Sequence, residues 1–115
     1  MSVIVNITDT FPTHDILAVG SVKIWSSIII SGVMLKFDDQ SGQYFFEFPS
    51  MENNKAVVKL CDKTLKEKLL DAMVYKYEEY ILSQFENDNS GSKPYILVLE
   101  KERIERKYYR QQGLI

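Results

Sequence analysis

The stretch ILAVGSVKIW, residues 16–25, alternates with a period of two. Ile16, Ala18, Gly20, Val22 and Ile24 fall on one face of an extended chain; Leu17, Val19, Ser21, Lys23 and Trp25 fall on the other. Successive side chains of a strand point to opposite faces, so the pattern predicts a strand and not a helix. Upstream, residues 3–8 (VIVNIT) read as a first strand, set apart by a loop FPTHD at 11–15. Downstream, Ser26 and Ser27 predict a tight turn, and residues 28–37 form another β-rich run in which Gly32 marks a bulge or a close backbone approach.

The cluster DDQSG at 38–42 is the clearest hairpin loop, because Asp and Ser bond their own backbone and Gly tolerates left-handed geometry. Residues 43–48 (QYFFEF) return as a strand, with Tyr44, Phe46 and Phe48 on one face and Gln43, Phe45 and Glu47 on the other. Pro49 has no N–H to give to a ladder and ends it. Residues 51–54 turn the chain, and 56–60 (AVVKL) read as a fifth short strand.

The period then changes. Leu65, Leu69, Met73, Tyr77, Tyr80 and Ile81 recur at spacings of three and four, a helix stripe wide enough to pack on a sheet. Lys68, Asp71, Glu78, Glu79 and Glu86 lie mostly opposite it. Thr64 and Glu67 fit a capping box, with Asp62 as an alternative N-cap. The helix should end near Phe85, ahead of the breaker run NDNSGS at 87–92. Residues 95–99 (YILVL) read as a short extra strand and 100–112 as a charged helix. The expected fold class is α+β: an antiparallel β-meander of about five strands packed by one long helix, with a short C-terminal strand and helix. Residues 1–86 would form the domain and 87–115 an appendage.

A chain of 115 residues can bury a real core, and 45% apolar with 26% charged residues is a globular composition. The longest apolar run, around Ile28, Ile29 and Ile30, is strand-sized and too short to span a bilayer. No basic segment precedes an apolar run, so no signal peptide is expected, and the single Cys61 excludes an internal disulfide; a cytoplasmic location with no membrane partner follows as the expectation. His14, the only histidine, has no framework of Cys, Ser or carboxylate around it in the sequence, and one His with one Cys does not make a metal site. Cys61 is expected to pack at the strand–helix junction as a small hydrophobe. Asp38 and Asp39 serve turn geometry, and no Gly-rich phosphate loop is present. No enzymatic activity, cofactor, metal or small-molecule substrate is expected.

Net charge is −2, yet its distribution is uneven. Residues 101–115 carry Lys101, Arg103, Arg106, Lys107 and Arg110 against Glu102 and Glu105, a balance of +3 that leaves −5 for the rest. All three arginines lie in this tail. Arg forks grip phosphate and the neighbouring Tyr108 and Tyr109 can stack on unpaired bases, so Arg103, Arg106, Lys107 and Arg110 are candidate nucleic-acid contacts. Lys55, Lys59, Lys63 and Lys66 form a second candidate cluster, near the last strand and the helix start. The commoner use of such residues is to solvate a surface: Glu102 with Arg106, and Glu105 with Tyr109, stand at ordinary helical pairing distance. Lysines at a helix N-terminus nevertheless oppose its dipole, which favours a function for the second cluster.

Four stretches carry a family resemblance: Ile7, Thr8 and Asp9; residues 18–22 (AVGSV); residues 46–50 (FEFPS); and the helix 64–73 (TLKEKLLDAM). The resemblance they carry covers roughly residues 3–80, and the aromatic strand ending in Pro49 and Ser50 is the most specific among them. In these residues the chain resembles the SpoVG family, the stage V sporulation protein G septation regulators of bacteria. The resemblance implies a dimeric, non-enzymatic, nucleic-acid-binding regulator, whose basic residues after the Pro-Ser and on the helix meet phosphates. Met51 and Glu52 stand here where the family continues with a basic pair, so that part of the site does not carry over. The alternative reading is a protein-interaction module on the same fold that has lost DNA binding, using exposed aromatics at Phe45, Tyr75 or Tyr108 and Tyr109. Homodimerisation is expected also from the open strand edges of a meander, rich in Ile and Val.

Overall fold

Alternating Val and Ile build the first layer. In the computed structural model, which describes residues 2–10, 16–49, 60–86 and 95–113, four strands form one antiparallel sheet: β1 (Val3–Thr10), β2 (Ile16–Ile24), β3 (Ile28–Asp38) and β4 (Gln43–Glu47). Their order is β1-β2-β3-β4, a meander. Two helices follow, α1 (Lys63–Glu86) and α2 (Tyr95–Gln111). The class is α+β, as the change of period predicts. The expected fifth strand at 56–60 falls almost wholly outside the described residues, and Leu60 itself is not in a strand.

The chain divides into two compact units, Met1–Tyr77 and Glu78–Ile115, and the division falls within α1. In the first unit the sheet is two-faced. Val5, Ala18, Val22, Ile24, Val33 and Leu35 are buried, on the face where Leu35 lies opposite Phe46 and Phe37 opposite Tyr44. The Tyr77 ring meets Tyr44 edge to face at 6.4 Å, which places the buried α1 stripe of Leu65, Leu69, Met73 and Tyr77 over that face. Four positions spaced by four keep one side of a helix against a sheet. Tyr80, expected on the stripe, is exposed instead.

Three irregularities adjust the ladder. Between β1 and β2 the register shifts at Thr8, whose hydroxyl donates to the Val19 carbonyl at 2.9 Å and so supports the bulged backbone. A second shift lies at Leu17. A third lies between β2 and β3, where Ser31 and Gly32 stand against Ser21 alone; Gly32 takes φ 74°, the left-handed geometry such a bulge needs. Gly20 has a different reason to be small. A Cβ there would sit 2.5 Å from the Asn6 carbonyl oxygen on β1. The tight turn after β2 is centred on Trp25 and Ser26, one residue earlier than expected, with φ 56° and 58° and the Ser27 N–H donating to Ile24 at 3.1 Å. Left-handed geometry costs an L-residue roughly 1–2 kcal/mol, and Asn-Gly is the usual sequence for it.

Asp62, not Thr64, caps α1. Its Oδ1 accepts the Thr64 and Leu65 N–H groups at 2.8 and 3.2 Å, while its carbonyl accepts Lys66 N–H at 3.1 Å. Residues 95–99 are the first turns of α2, not a strand. A short apolar run suits either state; here Leu97, Lys101 and Ile104, spaced four and three, turn to the inward side, and Ile104 is fully buried.

Gly20→Ala is expected to lose about 1–3 kcal/mol of stability in urea denaturation, because backbone and not a flexible side chain blocks the new methyl. Asp62→Ala is expected to lose about 1 kcal/mol in the same measurement, and Thr64→Ala much less.

Candidate nucleic-acid interface

The nominated cations have unlike surroundings. Lys55 and Lys59 lie outside the described residues. Lys63 and Lys66 are exposed on the first turn of α1, beside the Asp62 cap. Asp62 places a carboxylate where the helix dipole favours one, which offsets part of the unfavourable placement of the two lysines. Cys61 is exposed, contrary to the packed position expected of it.

In the second unit, α2 lies against the end of α1, and ion pairs consume most of the tail's charge. Arg103 donates through Nε and Nη2 to both carboxylate oxygens of Glu100, at 2.9 and 2.7 Å. Lys101 lies 3.2 Å from Glu105 and 5.2 Å from the centre of the Phe85 ring. Lys107 reaches Glu78 Oε2 at 2.7 Å, and the Tyr108 hydroxyl donates to Glu78 Oε1 at 2.9 Å. Glu78 was expected on the solvent side of α1; it is 2% exposed. Both its oxygens are satisfied, as a buried carboxylate requires. Glu105 thus pairs with Lys101 rather than with Tyr109. These contacts give Arg103 and Lys107 carboxylate partners within the chain.

Arg106 and Arg110 differ. Both are exposed on α2, spaced by one turn, and neither has an ion-pair partner among the described residues. Tyr109, three residues after Arg106, lies on the same face and is exposed. The structure therefore leaves a compact surface of two guanidinium forks around one phenol ring. Tyr75 and Phe45, the aromatics of the interaction reading, are exposed as well. Among the described residues no group of three or more His, Cys, Asp and Glu could hold a metal ion. No helix there is long and apolar enough to cross a membrane. Comparison of the chain with protein-family models, with curated proteins and with solved structures finds no match.

The Glu78 cluster is what reading the sequence missed, since its partners lie 29 and 30 residues away. Lys107→Met is expected to cost about 2 kcal/mol by taking the charged donor away from a buried carboxylate. The double variant Glu78→Leu with Lys107→Met should recover much of that loss. Amide exchange across residues 78–113 reads both effects locally.

Proposed function

We propose that the chain is a non-enzymatic, nucleic-acid-binding regulatory protein of the SpoVG type, acting as a homodimer in the cytoplasm. The observation that carries the binding half is the exposed set Arg106, Tyr109 and Arg110, whose arginines have no ion-pair partner among the described residues while neighbouring cations are neutralised. Guanidinium forks suit phosphate oxygens, and an exposed ring offers a stacking platform for an unpaired base. Such a set favours single strands over duplex, whose bases are already stacked. Lys63 and Lys66 correspond to the helix-borne cations implied by the family resemblance. The dimer half rests on that resemblance and on β1, which has a neighbouring strand on one side only among the described residues and no charge before Asp9.

The second reading, an interaction module that has lost nucleic-acid binding, is favoured by the pairing of Arg103 and Lys107 with carboxylates. Fluorescence anisotropy with single-stranded and duplex oligonucleotides at several salt concentrations separates the two. The expected result is salt-dependent binding, tighter for single strands. In the double variant Arg106→Ala with Arg110→Ala the slope against log salt should fall by about 1.4, roughly 0.7 per phosphate of a single strand. Flat signals at low salt select the interaction module. Loss on Lys63→Ala with Lys66→Ala instead moves the grip to α1. A monomer mass by light scattering at micromolar concentration removes the dimer.

A further inference from the structure

One end of the sheet is almost free of charge. Residues 2–8 carry none, and across residues 16–33 the single charged side chain is Lys23. The fold gathers these segments at the start of β1, the end of β2 and the start of β3. Ile4, Lys23 and Ile29 lie opposite one another on three adjacent strands, so they form a row on one face. Ile4 is 56% and Ile29 65% exposed. Ile28, opposite Ile24, belongs to the other face and is 49% exposed; Trp25, at the turn between them, is 54% exposed. Apolar side chains thus wrap the end of the hairpin from both faces, with the indole at its apex.

We propose that this hairpin end is a docking wedge for another protein, taking up an apolar segment of that protein which bears a carboxylate. Trp25, Ile28, Ile29 and Ile4 supply the contact, and Lys23 meets the carboxylate. Three observations carry it. Large apolar side chains exposed together on an otherwise ordinary surface mark contact sites, and tryptophan is the residue most enriched among anchors. Trp25 and Ser26 hold a left-handed turn that Asn-Gly would form with less strain, so the indole is kept at the apex against the preference of the backbone. Lys23 has no ion-pair partner among the described residues, and a cation enclosed by isoleucines on docking requires an opposite charge. That charge also decides the occupant. A second copy docking hairpin to hairpin would bring lysine to lysine, with no carboxylate in residues 16–33. An anionic bilayer draws on clusters of cations, whereas this end of the sheet carries the single cation Lys23.

The test selects short random peptides displayed on phage against the full chain, with counter-selection against Trp25→Gly. Enriched peptides are expected to place Asp or Glu among aliphatic and aromatic residues. A dye-labelled copy of the leading peptide should lose about thirtyfold in affinity on Trp25→Gly, the factor for loss of an anchor residue. The melting temperature of that variant should hold or rise, because glycine relieves the turn. Lys23→Glu should weaken binding and Lys23→Arg preserve it, while a peptide with Lys in place of its acid should bind Lys23→Glu again. If Trp25→Gly unfolds, Lys23→Glu carries the test, its side chain being exposed. The proposal is overturned by an absence of enrichment, by enriched peptides without acids, or by binding indifferent to both positions. It is also overturned if sedimentation shows Trp25→Gly turning an oligomer into a monomer. Trp25-dependent binding to phosphatidylserine–phosphatidylcholine vesicles, with no peptide enriched, likewise assigns the wedge to lipid and overturns it. Oligonucleotide binding by Arg106 and Arg110 stands or falls independently of every one of these outcomes.

Discussion

The buried face of the sheet can be closed only by an element that presents apolar side chains along one line, and α1 does so through Leu65, Leu69, Met73 and Tyr77. Alternation along each strand sends half the side chains to that face; the spacing of four along α1 returns its own to meet them. Everything else in the first unit is adjustment around this contact. The bulges at Thr8, Leu17 and Gly32 shift register to keep Ala18, Val22, Val33 and Leu35 directed inward over long strands. Gly20 permits β1 and β2 the approach that the ladder requires.

Much of this was legible because it is local. Period-two runs, the DDQSG loop and the period change at residue 64 are each written within a few residues, and the hairpin loop, with the Gly42 N–H bonded to the Asp38 carbonyl at 2.8 Å, forms where they put it. The misreadings share a cause. YILVL at 95–99 is apolar enough for either state, and it became helix as the start of a longer stripe ending in the burial of Ile104. The proline just ahead of it is a helix-start signal as much as a strand boundary. Glu78 looked solvated because acidic residues on helices usually are; its burial depends on Lys107 and Tyr108, which no local window contains. The same limit governed the tail cations. Spacing alone allowed Glu102 to pair with Arg106, whereas Glu100 took Arg103 and Arg106 has no ion-pair partner among the described residues.

The ion pairs change what the tail's charge can do. A balance of +3 over residues 101–115 suggests a long-range attractive field. Once Lys101, Arg103 and Lys107 each face a carboxylate a few ångströms away, that field reduces, among the described residues, to Arg106 and Arg110 against Glu102. With Glu78 and Glu100 counted in those pairs, the −5 of the rest of the chain falls to −3, and long-range steering towards a polyanion is weak. Any grip on nucleic acid must therefore come from short-range geometry, forks and a stacked ring, and not from accumulated charge. The arrangement suits slow, selective capture of exposed bases more than sliding along a duplex, which draws on many phosphate contacts at once.

The hairpin end obeys the opposite logic. There the chain holds charge to one lysine and keeps an indole on a backbone that disfavours it. Strain of this kind persists only where the surroundings over-determine it, and the surroundings here are two paired strands whose register fixes the turn at Trp25 and Ser26. A rigid ladder can hold an exposed anchor in place before any contact forms. The entropy of ordering that side chain is then met during folding and not during association, which is the condition under which a small apolar surface can bind with useful affinity. The two surfaces thus divide by physics. One works through sparse charge on a helix, and the other through apolar shape on a hairpin with a single cation to fix its orientation.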